Sequence, residues 1–278
     1  MPGFWDDKRV QVTTQKAARP PLSKGACSPE GGGDPKQDLR AVRGVPSLTW
    51  RTGQERRFQM ICRYADPTGQ RVLDVGCGVG MYLAAFGRRT SHVFGVEVEP
   101  ERAREACARA AGVVRAVGEH LPFADGAFDL TFSHEVLEHV ADDRAVMAEM
   151  ARVTRPGGRI VLFVPNRLYP FETHGVFWQG RYRFGNVPLV NYLPDRWRNR
   201  LAPHVRAYTV KDIQRLLAGL PVRVVYRTVI FPGYDKLALR SPFWARLLRA
   251  ITYTLERTPL RFFGLSHFWV MEVDQKGV

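Results

Sequence analysis

Three side chains that could hold a metal or act on a substrate lie close together near the middle of the chain: Glu135, Glu138 and His139. If this segment is helical, their spacing places all three on one helix face, within an arc of about 100°. Two carboxylates and an imidazole form a ligand set that suits Mg, Mn or Zn. The structural alternative is that the carboxylates lie near a helix N-terminus and the imidazole packs or caps. Without a metal, His139 or its neighbour His134 is the candidate general base.

A glycine-rich stretch occurs earlier in the chain, in the order Asp74-Val75-Gly76-Cys77-Gly78-Val79-Gly80. The apolar run that ends at Asp74 predicts a strand, the glycines predict a tight turn, and the residues after Gly80 predict a helix. Such a turn lets the backbone approach a ligand because glycine has no Cβ. The third glycine comes one residue too early for a dinucleotide-binding turn, which weakens a nicotinamide cofactor as the ligand.

Residues 71–165 resemble the class I S-adenosylmethionine (SAM) methyltransferases in four ordered features. Asp-x-Gly-x-Gly-x-Gly resembles their first motif, and Glu97 follows at the end of the second predicted strand, where it would accept the ribose hydroxyls. Leu-Pro-Phe at 121–123, and Leu-Glu-His-Val at 137–140 followed by Arg-Pro-Gly-Gly, are also frequent in that superfamily. The resemblance implies SAM as the methyl donor, bound by Asp74, Gly76, Cys77, Gly78, Gly80, Glu97, Gly118, Glu119 and Ser133.

The Glu-x-x-Glu-His segment at 135–139 resembles the metal motif of small-RNA 2′-O-methyltransferases and of ubiquinone-pathway O-methyltransferases. In those families a further histidine comes from a later loop, and this chain offers His174 and His204 as candidates. We favour His204 because it shortly precedes a predicted helix. The resemblance thus implies a metal site of Glu135, Glu138, His139 and His204. A metal there would lower the pKa of an attacking hydroxyl group.

The alternation of strand and helix patterns predicts an α/β fold. The resemblance implies a doubly wound, Rossmann-like sheet of seven mostly parallel strands, with the last strand, at 267–273, antiparallel. We divide the chain into a disordered N-terminal extension at 1–45, a SAM-binding core at 46–165, a substrate-cap insertion at 166–208 and a C-terminal part of the sheet at 209–278. The cap is assigned because this segment is rich in aromatic residues, Arg, Pro and Gly and follows no clean period.

The charge of the chain indicates an anionic partner. The 278 residues carry a formal net charge of +14, and residues 181–261 hold 16 lysines and arginines against 4 acidic residues. Lipid headgroups, a phosphate-linked small molecule or a nucleic acid would suit this excess, and the alternative is a merely solvated basic surface. The scattered cysteines and the lack of an apolar leader predict a cytoplasmic protein. No apolar stretch is long enough for a membrane span.

Residues 241–251 predict an amphipathic helix with Phe243, Leu247, Leu248 and Ile251 on one face and with Arg246 and Arg249 flanking it. Such a helix either packs against the core or attaches the protein to an anionic membrane surface, in which case the protein is peripheral to the membrane.

Together these features predict a methyltransferase that acts on an oxygen of an amphiphilic or anionic small molecule, such as a lipid-linked sugar or a quinone precursor. The alternatives are an RNA 2′-O-methyltransferase and a SAM- or dinucleotide-binding module without catalytic activity. A nucleic acid is the weaker partner because the sequence shows no added RNA-binding module.

Overall fold

The computed structural model describes residues 50–110 and 112–275. The predicted disordered extension at 1–45 lies outside these residues. The described residues form eight α-helices: α1 (Thr52–Tyr64), α2 (Met81–Phe86), α3 (Pro100–Cys107), α4 (Asp143–Val153), α5 (Asp195–Leu201), α6 (Val210–Leu217), α7 (Asp235–Arg240) and α8 (Pro242–Leu255). Two short 3-10 helices cover Val190–Tyr192 and Pro259–Phe263.

Seven strands form the main sheet: β1 (Val72–Val75), β2 (Val93–Glu97), β3 (Gly112–Arg115), β4 (Phe128–His134), β5 (Thr154–Pro165), β6 (Val222–Ile230) and β7 (Ser266–Val273). Their order across the sheet is β6-β7-β5-β4-β1-β2-β3. Strands β1 to β5 pair in parallel, whereas β7 pairs antiparallel with both β5 and β6. The predicted seven-stranded α/β sheet with an antiparallel last strand is therefore confirmed.

Helices cover both faces of this sheet. On one face, Met147 and Ile213 of α4 and α6 pack with Trp269 of β7. On the other face, Phe58 of α1 and Phe86 of α2 pack with Phe132 of β4. Because both faces are covered, β5 is a continuous buried run at 160–164 rather than an alternating one. Because β1 to β5 run parallel, their carboxyl ends lie together at one edge of the sheet, where open α/β sheets bind ligands.

Residues 166–208 leave the sheet after β5 and form the segment that we predicted as a cap. Two antiparallel strand pairs join Phe171–Glu172 to Val187–Pro188 and Val176–Trp178 to Arg181–Arg183, and α5 follows. These strands are two or three residues long, which is too short to impose a visible period on the sequence. The boundaries assigned to the cap and to the other segments stay a prediction.

Arg198 is a buried residue of α5 that joins separate parts of the cap by hydrogen bonds. Its buried guanidinium donates hydrogen bonds to Oε2 of Glu172 at 3.0 Å and to the carbonyl of Val205 at 2.8 Å. We expect Arg198→Ala to lower the free energy of unfolding by about 3 kcal/mol, because it removes the guanidinium that pairs with Oε2 of the buried Glu172. Urea denaturation measures this loss. Arg196→Ala is the control, since Arg196 is exposed on the same helix, and an equal loss in both variants would contradict the prediction.

Candidate functional site

The glycine-rich turn after β1 adopts a backbone conformation that residues with a Cβ rarely take. Gly76, Gly78 and Gly80 have φ values of 78°, 55° and 82°. A Cβ on Gly76 would lie 2.4 Å from Cγ2 of Val136, so no side chain fits there. Gly76 and Gly78 line a cleft at the edge of the sheet. The turn therefore presents bare backbone to this cleft, as a ligand-binding turn requires.

Glu97, the last residue of β2, is hydrogen-bonded to this turn. Its Oε2 accepts the N–H of Gly78 at 2.9 Å, and its Oε1 accepts the N–H of Glu99 at 2.9 Å. The side chain is buried and lines the same cleft. Each carboxylate oxygen retains a further lone pair. Glu97 can therefore accept two hydroxyl groups of a ribose without losing either backbone contact.

Asp74 places a second buried carboxyl group beside the turn. Burial, and then the nearby charge of Glu97, raises the pKa of Asp74 well above its usual range. The side chain also lines the cleft. A positively charged group bound there would oppose both effects and favour the ionised form. Asp74 and Glu97 together favour a ligand that carries a cation as well as hydroxyl groups.

The cleft has a volume of about 650 Å³ and brings most of the predicted site residues together. The predicted residues that line it are Asp74, Gly76, Cys77, Gly78, Glu97, Gly118, Glu119, His134, Glu135 and His139. Among the described residues, two predicted SAM-binding residues do not line it. Gly80 lies against Ala106, and Ser133 is fully buried within β4.

Glu119 has a structural contact that was not predicted. Its Oε1 accepts the N–H groups of Ala141 at 3.0 Å and of Asp142 at 3.3 Å, directly before α4. This carboxylate thus fixes the loop after β3 to the start of α4. Gly118 and Glu119 border the cleft as a result of this contact.

The segment after β4 is a turn, whereas the predicted common face of Glu135, Glu138 and His139 depends on a helix. Glu135 has a φ of 56°, a left-handed conformation that is uncommon for residues with a Cβ. Its Oε1 accepts a hydrogen bond from Oγ of Ser266 at 2.7 Å. Glu135 lines the cleft, but it lies outside the cluster of candidate metal ligands that the structure describes around Glu138.

Glu138, His139 and His174 form that cluster, with one ligand atom of each within 4.8 Å of the others. The distances from Oε1 of Glu138 are 4.0 Å to Nε2 of His139 and 3.9 Å to Nε2 of His174. Glu138 is 2% exposed, and neither carboxylate oxygen has a hydrogen-bond partner within the part of the chain that the structure describes. A buried carboxylate without such partners is costly unless a cation pairs with it.

The pKa shifts in this cluster have the same origin. Burial, and in second place the nearby charge of Glu135, raises the pKa of Glu138 well above its usual range. Burial, and then His174, lowers the pKa of His139 to about 3. The site therefore disfavours charge on its own groups. A bound divalent cation would favour the ionised carboxylate and the neutral imidazole, the forms that ligate metals.

The two ring nitrogens of His174 face two different carboxylates, Nδ1 that of Glu172 and Nε2 that of Glu138. Its Nδ1 lies 3.1 Å from Oε1 of Glu172, and its backbone N–H donates to the same oxygen at 3.0 Å. Because a carboxylate only accepts, Nδ1 is the donor in this contact, and in a neutral imidazole Nε2 then has the lone pair on the side of Glu138. Glu172 is held in turn by Arg198. A carboxylate paired with a histidine in this way is the usual support of a metal-binding imidazole.

Comparison with known proteins finds similarity in the central part of the chain. Residues 73–162 match the sequence profile of a family described as a methyltransferase domain. An uncharacterized methyltransferase of Mycobacterium sp. (strain JLS) is 48% identical over 110 residues, which are 39% of this chain and 44% of that protein. One from Mycobacterium leprae (strain TN) is 42% identical over 114 residues, 40% of this chain and 42% of that protein.

Over residues 73–162 the chain matches a methyltransferase domain. The resemblance stated from the sequence motifs is thereby confirmed. The chain spans less than half the length of the curated relatives it matches.

Solved structures share the fold of the methyltransferase domain. A SAM-dependent methyltransferase from Mesorhizobium loti has a TM-score of 0.55 at 18% identity. That match covers 80% of this chain and 98% of the Mesorhizobium chain. Geranyl diphosphate C-methyltransferase from Streptomyces coelicolor A3(2) has a TM-score of 0.54 at 18% identity. That match covers 79% of this chain and 78% of that chain. At these identities the likeness establishes the fold alone.

His134 lies at the end of β4 in the methyltransferase domain, packed among aromatic rings. Its ring centroid is 5.1 Å from that of Tyr82 and 5.3 Å from that of Phe163. Burial, and then Arg57, lowers the pKa of His134 well below its usual range. The imidazole is therefore neutral but weakly basic, which makes it a poor general base.

His204, the predicted fourth ligand, lies outside the cluster described around Glu138. Its ring packs edge-on against Phe177 and Tyr182, with centroid distances of 5.5 Å to each. His174 occupies the place beside Glu138 instead. Sequence reasoning could have favoured it, because Glu172 precedes it by two residues and a carboxylate is the usual partner of a ligating histidine.

Proposed function

We propose that this chain transfers the methyl group of SAM to an oxygen atom of an amphiphilic or anionic small molecule. The observation that carries the proposal is one continuous cleft, which the glycine-rich turn and Glu97 share with His139, His174 and the cap residue Phe184. A donor on the turn and an acceptor under the cap would be held close together, which converts methyl transfer into a reaction between positioned groups.

The residues around the turn fit SAM. Glu97 would accept the ribose hydroxyls, and ionised Asp74 would pair with the ammonium group of the methionine part. Gly118 and Glu119 would border the adenine. When bound, SAM supplies an electrophilic methyl group. The chain itself then has to align the acceptor oxygen and allow its proton to leave as the new bond to carbon forms.

We expect the affinity for SAM to increase with pH because of Asp74. In the free protein its raised pKa keeps the carboxyl group protonated at lower pH, whereas a bound ammonium group favours the ionised form. Binding below the raised pKa therefore releases a proton, and the affinity should rise by up to about 10-fold per pH unit. Calorimetry between about pH 5.5 and 8.5, in two buffers of different ionisation enthalpy, measures both effects.

Asp74→Asn is the control for this prediction, since it removes the titrating group and keeps the shape. It should bind SAM more weakly, and without the proton release. A wild-type affinity that does not change with pH would contradict the role assigned to Asp74.

We further propose a divalent metal ion on Glu138, His139 and His174, in place of the predicted set that included Glu135 and His204. One carboxylate and two imidazoles fit Zn or Mn better than Mg, which prefers oxygen ligands. The buried carboxylate of Glu138, which accepts no hydrogen bond from the described residues, supports the proposal. When bound, the metal supplies Lewis acidity that lowers the pKa of an acceptor hydroxyl group.

The cap favours an acceptor with both apolar and anionic parts. Its exposed large apolar side chains are Leu168, Phe171, Trp178, Phe184, Leu189, Tyr192 and Trp197. Exposed arginines lie among them at 181, 183, 196 and 200. Geranyl diphosphate, the compound named for the Streptomyces enzyme, combines the same two characters. A lipid-linked sugar has this combination as well.

Incubation with SAM labelled in its methyl group and with fractionated cell extract tests the proposal. We expect the label in a lipid or amphiphilic small-molecule fraction, and no label there with Glu97→Ala. Chelation should reduce the transfer, and Zn or Mn should restore it. Label in RNA would favour the 2′-O-methyltransferase alternative. Bound SAM without transfer to any fraction would favour a binding module without catalytic activity.

A further inference from the structure

Helix α8 turns its large apolar side chains away from the protein. Its buried residues are the small Ala245 and Thr252. Phe243 is 63% exposed and Trp244 56%, and Leu247 and Ile251 are also exposed. At about 100° per residue these four side chains form a stripe about 100° wide. The predicted apolar face had Leu248 in place of Trp244; in the structure Leu248 is half-buried at the border of the stripe, and the stripe itself remains uncovered. Of the two arginines predicted to flank the face, Arg246 is exposed, whereas Arg249 is half-buried and pairs with Asp235.

The surroundings of this stripe add further exposed apolar side chains. Leu239 of α7 is 89% exposed, the largest value among the exposed large apolar residues described. Leu260, Phe262 and Phe263 of the 3-10 helix after α8 are also exposed. Soluble proteins rarely leave so many large apolar groups uncovered in one segment unless the surface has a partner.

Positive charge surrounds the stripe without matching negative charge. Residues 235–261 contain six lysines and arginines and two acidic residues. Both acids are used within the fold: Asp235 accepts the N–H groups of Thr52 and Gly53, and Glu256 accepts the N–H of Phe231 and pairs with Arg56. Five of the cations are exposed: Lys236, Arg240, Arg246, Arg257 and Arg261. None of the five forms an ion pair with another described residue.

We propose that α8 docks this protein on an anionic lipid bilayer, with the stripe of Phe243, Trp244, Leu247 and Ile251 in the boundary between headgroups and acyl chains. A helix of 14 residues with an apolar stripe and flanking arginines has the character of an interfacial helix. The flanking cations match the negative surface of such a bilayer. No helix in the described residues is long and apolar enough to cross a membrane, so docking would be at the surface.

A second copy of the chain is the less suitable partner for this surface. Two copies related by a two-fold axis would bring the same stripe together, and with it the same five exposed cations. Like charges placed opposite each other oppose association. The charge of the surface therefore favours lipid over self-association. The inference deepens the proposed function, because an amphiphilic acceptor resides in a bilayer, but docking can be measured without SAM or acceptor.

Sedimentation with vesicles tests the inference. We expect the full chain to bind vesicles of phosphatidylcholine with about one third phosphatidylglycerol at least about 30-fold more tightly than vesicles of phosphatidylcholine alone, and less tightly at high salt. Arg240→Glu with Arg246→Glu should weaken binding by about 30-fold. Trp244→Ser should weaken it by about 10-fold.

Val224→Ser is the control, because Val224 is 43% exposed but lies on β6, outside α8, the cap and the cleft. It should leave vesicle binding unchanged. Equal binding to both kinds of vesicle, or an equal loss in Val224→Ser and Trp244→Ser, would overturn the inference. Self-association of the wild type that Trp244→Ser abolishes would also overturn it. SAM affinity by calorimetry should be the same in all these variants, so failure of docking and failure of the SAM site are distinguishable.

Discussion

Replacing Glu97 with alanine is expected to lower the affinity for SAM by about 100-fold. The substitution removes the acceptor of the ribose hydroxyls, and hydrogen bonds to a charged group contribute about 1.5 to 3 kcal/mol each. It also leaves the N–H groups of Gly78 and Glu99 without their carboxylate, so the turn loses the contact that fixes it to β2. Calorimetric titration of the purified chain with SAM measures the loss.

Glu101→Ala is the control for this experiment. Glu101 is an exposed acid in the first turn of α3, and it does not line the described cleft. Its removal changes the net charge by the same amount as Glu97→Ala. We therefore expect its SAM affinity to stay within about twofold of the wild type. Wild-type affinity in Glu97→Ala would show that the cleft does not bind SAM in this way.

Replacing His174 with alanine is expected to reduce the affinity for Zn or Mn by at least about 100-fold. The variant removes one of three ligands and leaves Glu138 with His139 alone. Competition with a coloured chelator measures metal binding directly, without an acceptor. Glu172→Gln should reduce the affinity by about 10-fold, because it removes the carboxylate that holds the proton on Nδ1 of His174.

His204→Ala separates the ligand set of the structure from the one predicted from the sequence. We expect it to keep the metal affinity within about threefold, since its ring packs on Phe177 and Tyr182 outside the described cluster. Loss of metal in His204→Ala but not in His174→Ala would restore the predicted set. A wild-type chain that binds neither Zn nor Mn would remove the metal from the proposal.

The strands of the α/β sheet and the glycine-rich turn could be predicted because their signals are local. Alternating strand and helix patterns, together with the family motifs, predict the parallel sheet with its antiparallel last strand. Three closely spaced glycines predict a turn whose φ values are positive, as those of Gly76, Gly78 and Gly80 are. Glu97 was found because parallel strands end at one edge, so an acid at the end of β2 must lie near the turn after β1.

The conformation of the turn after β4 could not be predicted from the sequence. The spacing of Glu135, Glu138 and His139 fits a helix, but Glu135 adopts a left-handed conformation and its carboxylate reaches Ser266, 131 residues further along the chain. A contact across such a separation leaves no periodic signal. The same holds for His174, which reaches Glu138 only because the cap folds back from the end of β5.

By itself, the sequence determined the α/β sheet, the glycine-rich turn with the acid beside it and the amphipathic character of α8, because backbone preference and apolar period act within a few residues. Only the tertiary structure decided which histidine stands beside Glu138 and which face of α8 is covered. Both are set by packing between distant segments. The exposed stripe of α8 shows the difference well: the sequence predicts an apolar face, but the fold buries Ala245 and Thr252 instead.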